Sequence, residues 1–400
     1  MTTIQTHCTE NLRGNYNRKA IQQLIKDKIS EGANRRPFYI ANLDDIVNKH
    51  KRWVELMPRV KPFYAVKCNN TEPVVKTIAA LGAGFDCCNI SDIEQILKLG
   101  VETDRIIYGH PVKDPDDIKS ASEFGINLMV FDNEHELVKI KSINPTTNLV
   151  LRILPFERGS GDVLDKKYGC LADQCEDLLM KAKKMDLNVV GVSFQIGRSG
   201  FDVDSHLDTI IFCRRVFDLA KTIGFNFNFL DIGGGFPGYS TEGNPTFAEG
   251  AKKINETLDE YFPAEENAKV IAEPGTYYVQ SAFTYVLRVI GKRVSDHVYD
   301  YYLNDGVHGA FSKTITYDKK VPDFRLLEDK PLVPFRKSNV WGSTLNPDDR
   351  LGQNIQMPEL DIGDWLYVPN MGAYTTVLAT SFCGTPSSNI IWMASDSTTS

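Results

Sequence analysis

From residue 62 onward the chain alternates short apolar runs with stretches of helical spacing. The strand-like runs are FYAVK (63–67), AGFDCC (83–88), RIIYGH (105–110), NLMVFD (127–132), NLVLRIL (148–154), NVVGVSFQI (188–196), FNFLDIGGG (227–235) and KVIAEPG (269–275). Helical patterns at 73–81, 91–99, 114–124, 133–142, 172–185, 203–223 and 246–262 fill the gaps. Eight apolar strands alternating with helices predict a parallel (β/α)8 barrel, with an open doubly wound sheet as the competing arrangement. After Gly275 the rhythm changes. TYYVQSAFTYVLRVIGKRV, YDYYLND, DWLYVPNMGAYTTVL and NIIWMA read as strands without intervening helices, which predicts a second, mostly β domain.

The expected division is an N-terminal segment at 1–43, whose strand 37–43 joins the β domain, a barrel at 44–281 and the β domain at 282–400. One helix is expected near 19–29, and a disordered polar tail from about residue 395. A length of 400 residues suits one large domain plus a smaller one.

Composition narrows the partners. The net charge of −7 disfavours a nucleic-acid surface. No apolar run approaches the roughly 18–20 residues of a membrane span, and the polar start does not read as a signal peptide, so a cytoplasmic protein is expected. The eight cysteines show no paired metal spacing and read as reduced thiols, with no metal site.

In a barrel of this kind the strand C-termini form the reactive face. Those ends carry Lys67, Asp86, His110, Arg152, Gln195, the triplet Gly233, Gly234 and Gly235, and Glu273. A lysine closing an apolar strand is either a snorkelling surface group or a nucleophilic amine that forms a Schiff base with a carbonyl compound. In the second reading, burial would lower the amine's pKa and keep it neutral and nucleophilic. The glycine triplet is either a tight turn or a place where backbone N–H groups approach a phosphate. Glu273 either pairs with an arginine or holds a pyridine nitrogen protonated. Asp86 and Arg152 read as a charge pair, either positioning Lys67 or merely stabilising the barrel interior. His110 reads as structural.

Those residues, with the segments around them, resemble the eukaryotic ornithine decarboxylases, pyridoxal-phosphate enzymes that share their fold with alanine racemase. The resemblance runs from about residue 36 to 384 through PFYAVKCN, LGAGFDC, LVLRI, LDIGGGFPG, IAEPG, YYLNDGV, the WG-T loop at 341–344 and NMGAYT. It implies a barrel joined to a β domain, a head-to-tail homodimer with shared sites, and a lyase that removes CO2 from an amino acid in polyamine synthesis. It implies Lys67 as the Schiff-base lysine and Glu273 as the pyridine-nitrogen partner. Gly233, Gly234, Gly235, Gly275, Ser199 and Tyr374 would surround the phosphate, and Asp86 and Arg152 would lie around the lysine. Tyr317 and Asp318 would meet a distal amine, with Phe382 contributed by the partner chain.

The departures from that pattern are specific. Gln195 replaces a histidine that stacks on the cofactor. Thr276 replaces a phosphate-binding arginine, and Arg198, in a segment with one inserted residue, is the candidate replacement. Leu345 stands where a proton-donating cysteine is expected, Asn346 replaces an aspartate, and His308 replaces a tyrosine. Leucine has no proton to give, and losing a positioned acid costs about 10²–10⁴ in rate. The leading expectation is therefore a pyridoxal-phosphate decarboxylase of a basic amino acid with an altered pocket. One alternative is a weak or inactive relative of the antizyme inhibitors, binding antizyme on the helical face at 114–141. The other couples decarboxylation to transamination or oxidation. The Gly-rich stretch 155–168 reads as a mobile lid.

Overall fold

The computed structural model describes residues 18–31, 36–156, 167–196, 201–328, 330 and 333–395. The expectations for a lid at 155–168, for Arg198 and Ser199, and for the tail after 395 fall wholly or largely outside the described residues. Two units emerge, one of residues 49–278 and one of residues up to 48 together with 279 onward.

The chain opens with helix α1 (Arg18–Ser30), strand β1 (Phe38–Asn42) and helix α2 (Leu43–Leu56). Eight parallel strands then close into a barrel. They are β2 (Val60–Ala65), β3 (Gly84–Cys87), β4 (Ile106–Tyr108), β5 (Leu128–Phe131), β6 (Asn148–Arg152), β7 (Asn188–Ser193), β8 (Phe229–Asp231) and β9 (Lys269–Ala272). The helices between them are α3 (Glu72–Ala80), α4 (Ile90–Lys98), α5 (Pro115–Glu123), α6 (Glu134–Ile143), α7 (Cys175–Lys184), α8 (Val203–Ile223) and α9 (Phe247–Tyr261). Closure decides against the open sheet: β2 pairs with both β3 and β9. Phe63, Ile107, Val130, Val150, Phe229 and Ile271, from six different strands, pack together as the barrel's interior cluster. Each such burial contributes about 1.5–3 kcal/mol.

Helix starts follow local chemistry. The side chains of Asn89 and Asn133 accept the backbone N–H groups of Asp92 and Glu136 at 2.9 and 3.0 Å. Such caps satisfy amide groups that have no partner inside the helix. Gly224, at φ 95°, ends α8 in a left-handed turn that favours glycine.

Several strands are shorter than the apolar runs predicted. The run 63–67 ends as a strand at Ala65, and Lys67 lies in a tight helical turn, Val66–Cys68. The runs at 188–196, 227–235 and 269–275 end at Ser193, Asp231 and Ala272. In each case the remaining residues leave the ladder and build the loops of the barrel's C-terminal mouth.

The other unit is an eight-stranded sheet. Its later strands are β10 (Phe283–Ser295), β11 (Val298–Leu303), β12 (Arg325–Leu326), β13 (Phe335–Trp341), β14 (Arg350–Pro358), β15 (Trp365–Val368) and β16 (Asn389–Met393). They run in the order β12-β15-β10-β11-β13-β14, while β1 pairs antiparallel with β10 and parallel with β16. Ile25 from α1 joins Phe38, Ile40, Val286, Leu327 and Tyr367 in its core. Among the described residues no helix is long and apolar enough to cross a membrane, and no cluster of His, Cys, Asp and Glu could hold a metal. The described cysteines are free thiols.

Candidate active site

The barrel brings three carboxyl groups and one lysine to the strand ends at its mouth. Lys67 follows β2, Asp86 lies in β3, Asp231 ends β8 and Glu273 follows β9. These four strands are consecutive around the barrel, because β2 and β9 are neighbours at its closure. The Lys67 ammonium is paired with Asp86 Oδ2, and the lysine side chain is 38% exposed while that of Asp86 is 1% exposed. As to the two readings left open by the apolar run, the lysine side chain is partly exposed, and it is the acid beside it that is buried.

Asp86 Oδ1 is buried with no hydrogen-bond donor among the described residues. Gly109 makes room for it, since a Cβ there would overlap that oxygen. Asp231 is fully buried; its Oδ1 accepts Gly233 N–H at 2.9 Å, and its carboxyl shares a hydrogen bond with that of Glu273. Burial, and then the nearby Glu273 carboxyl, push Asp231 far above the usual carboxylate range. Glu273 is pushed up to about 7 by burial and by Asp86, against the opposing pull of Lys67 and Arg152. Buried acids this close cannot all ionise together.

Arg152 does not pair with Asp86, which corrects the charge pair read from the sequence. Its guanidinium lies over the Tyr168 ring, 5.6 Å from the centroid. His110 accepts Val112 N–H at Nδ1 (3.1 Å) and meets Tyr168 OH at 3.5 Å through Nε2. Both contacts are local to the mouth loops.

The glycine loop follows β8. Gln195 Oε1 accepts Gly234 N–H at 2.8 Å. A Cβ on Gly233 or on Gly234 would each lie 2.7 Å from the Gln195 amide, so only glycine permits this approach. Gln195 thus braces the loop, a role that the sequence did not reveal. Beneath the loop sits His206, 0% exposed, with Nδ1 2.9 Å from the Asp202 carbonyl and Nε2 3.0 Å from the Gly234 carbonyl. Burial lowers its pKa despite these two acceptors. Asp231 and His206 were both absent from the sequence-derived site. An acid inside the apolar run FNFLDI was the available signal for the first. A histidine on the inner face of α8 gave no such signal. Gly275 packs where a Cβ would lie 2.8 Å from Cys68 Cβ, and Thr276 follows it.

The remaining candidates belong to the β unit. Asn346 Nδ2 donates to His308 Nε2 at 2.9 Å, and its Oδ1 accepts Asp348 N–H at 3.0 Å. The His308 and Phe382 rings lie 4.5 Å apart. Leu345, beside Asn346, is 94% exposed. Tyr317 ends a wide helical turn, Lys313–Tyr317, and Asp318 after it is bonded by Lys313 Nζ at 3.0 Å. Tyr374 has a left-handed backbone, φ 56°.

A barrel whose mouth combines a lysine, an unsatisfied buried carboxylate oxygen, a pair of proton-sharing acids and a glycine loop suits a phosphorylated, cationic ring carrying an aldehyde. The lysine offers the amine, the surplus acids accept a ring N–H, and the glycines admit the phosphate. The comparisons with known proteins agree. Residues 43–280 match the model of the pyridoxal-dependent decarboxylases, pyridoxal binding domain. The chain belongs to this family of pyridoxal-dependent decarboxylases. It is 38% identical to mouse (Mus musculus) ornithine decarboxylase over 383 residues, 92% of this chain and 83% of that one. It is 41% identical to antizyme inhibitor 2 of Xenopus laevis over 378 residues, 91% of this chain and 82% of that one. The arginine decarboxylase of Paramecium bursaria Chlorella virus superposes with a TM-score of 0.88 at 33% identity, covering 93% of this chain and all of that one (100%). A lysine/ornithine decarboxylase from Vibrio vulnificus, complexed with cadaverine, gives 0.85 at 29% identity, covering 94% and 99%.

Proposed function

We propose that the protein is a pyridoxal-phosphate-dependent decarboxylase of a basic amino acid, with a substrate pocket altered from that of the ornithine decarboxylases. The observation that carries this reading is the placement of Lys67 and Glu273 on adjoining strand ends of one barrel mouth, with Asp86 holding the lysine. Lys67 would be the amine that holds the cofactor's aldehyde. When bound, the cofactor supplies a sink for the electron pair left behind as the substrate carboxylate departs as CO2. Asp86 orients the lysine ammonium. Glu273, whose carboxyl responds to charge near neutral pH, would hold the ring nitrogen. The Gly233–Gly235 loop, with Gly275 and Thr276, would surround the phosphate, and Arg152 adds positive charge near the acids.

Leu345, Asn346 and Phe382 are the substrate-side residues, given by one copy to the barrel of another in a head-to-tail homodimer. Leu345, 94% exposed, is open to approach by another copy. Tyr317 and Asp318 would serve a substrate's distal amine; Asp318 is bonded by Lys313 Nζ at 3.0 Å. Leu345 cannot return a proton to the substrate carbon, so turnover is slower than with a thiol at that place. The test is absorbance of the lysine-bound cofactor, followed with CO2 release from ornithine, lysine and arginine. Wild-type protein that stays colourless in excess cofactor, as Lys67→Ala is expected to, sinks the proposal.

A second reading has its own support: the likeness to an antizyme inhibitor, together with Leu345 and Thr276, fits a relative that holds cofactor poorly and binds antizyme instead. Absence of CO2 release from every amino acid tried, with antizyme captured, favours it. Aldehyde in place of amine among the products favours decarboxylation-coupled transamination or oxidation.

A further inference from the structure

The Gly233–Gly235 loop has an unusual support. His206 lies fully buried on α8, and both of its ring nitrogens face backbone carbonyl oxygens, Asp202 at 2.9 Å and Gly234 at 3.0 Å. A neutral imidazole has one N–H, so it can satisfy only one of these acceptors; the other then meets a lone pair. An imidazolium satisfies both. The ring is enclosed by Phe194, Phe201 and Phe236, with centroids 6.0, 5.8 and 5.3 Å away. Aromatic faces tolerate a cation better than aliphatic ones do. Burial opposes the charge. Burial is the larger of these effects and lowers the ring's pKa, so a nearby anion is what would bring the second proton.

The charged surroundings are sparse. On its own helix the ring faces Asp202, whose carboxylate is already bound by the N–H and hydroxyl of Ser205 at 2.9 and 2.5 Å. From the segment after β7 it faces Phe194 and Phe201, and from the glycine loop Gly234, Gly235 and Phe236; none of these titrates. Asp202 is thus the charged group acting on it among the described residues. Lys49, which also touches the segment after the glycine loop, is bound to the carbonyls of Gly238 and Tyr277.

We infer that His206 is the proton-carrying support of the glycine loop: a phosphate ester seated on the loop draws a proton from water onto the ring, and the resulting imidazolium bridges the Asp202 and Gly234 carbonyls. The inference rests on the proposed cofactor site. It assigns to His206 part of the positive charge that a threonine at 276 cannot give. His206 is a positioning residue, acting on the anion through Gly234 and through its charge, without touching it. An anion nearby favours the protonated ring, and by linkage the protonated ring favours the anion. The effect is specific to the phosphate and leaves the ring-and-aldehyde part of the cofactor alone.

The test uses full-length protein with isotopically labelled histidine. The His206 signal is assigned by its loss in His206→Gln. At pH 7.5 the ring is expected neutral without ligand and doubly protonated once inorganic phosphate or pyridoxal phosphate is bound. In parallel, His206→Phe and His206→Gln are expected to weaken pyridoxal phosphate about tenfold, the worth of one charge-assisted interaction, while pyridoxal binds unchanged. A ring that stays neutral in the cofactor-bound wild type overturns the inference, whatever the variants do. So does an equal loss of both ligands, which would make His206 a scaffold only. Wild-type protein that binds neither ligand overturns the proposed function as well; binding with a neutral His206 overturns this inference alone.

Discussion

Lys67 and Asp86 form an ion pair in which only one carboxylate oxygen is used: Oδ2 holds the lysine, and Oδ1 is buried with no donor among the described residues. An unsatisfied buried oxygen is costly unless something arrives to bond it. The pair therefore looks built for a further donor, and Gly109 keeps the space around Oδ1 open. Gly109→Ala should push Asp86 away from Lys67. The expected result is a fold destabilised by about 1–3 kcal/mol, with cofactor absorbance and CO2 release reduced about 10–100-fold. Full activity in this variant would show that Asp86 does not orient the lysine.

Glu273 gives a pH dependence with a definite sign. Its folded-state value, about 7, is raised above the ordinary 4.5. Between those limits the unfolded chain is ionised while the native carboxyl keeps its proton. The stability it contributes is complete below about pH 4.5, falls as pH rises, and is gone above about 7. Because Glu273 is partly open at the mouth and shares its proton balance with neighbouring acids, the expected drop is modest, about 1–2 kcal/mol. Denaturant unfolding of cofactor-free protein from pH 4.5 to 8 should show this slope, and Glu273→Gln should remove it.

Gln195 fixes the glycine loop through one hydrogen bond to Gly234 N–H. Gln195→Ala leaves that N–H without its acceptor and should cost about 1 kcal/mol in unfolding free energy. Pyridoxal phosphate affinity should fall along with it. A variant as stable as wild type would mean that water or another group takes over the bond.

At the substrate side, Leu345→Cys places a thiol where the chain has none. If Leu345 reaches the reacting carbon of a partner copy, CO2 release with amine as product should rise by about 10²-fold. Adding Asn346→Asp should improve use of a diamino acid, because a carboxylate there attracts the distal ammonium. No gain from either change would place this loop away from the substrate.

Away from the mouth, Lys113 and Glu136 form a fully buried pair, 2.8 Å apart with side chains 0% and 2% exposed. Burial lowers the lysine to about 8. Lys113→Met strands the Glu136 carboxylate, leaving it Lys139 and the backbone N–H of residue 113, and should cost about 3–5 kcal/mol. Adding Glu136→Gln should recover part of that loss, as thermal unfolding would register.

The amino-acid sequence by itself determined the element order and which strand ends carry polar groups. Apolar runs of strand length separated by helical spacing leave few other packings, because each strand must bury both faces. Motifs such as PFYAVKCN and LDIGGGFPG carried the likeness to a decarboxylase family, and the substitutions at 195, 276, 345 and 346 were visible there too. What only tertiary structure decided was who pairs with whom. Closing the barrel made the first and last strands neighbours and set Glu273 beside the Lys67–Asp86 pair, across more than two hundred residues of chain. It turned Arg152 toward Tyr168 instead of Asp86 and folded Gln195 onto Gly234. It also buried Asp231 and His206 where local pattern gave little or no cue. Periodicity reports which face of an element is apolar; the proton-sharing of buried groups depends on distances that exist only once those faces have met.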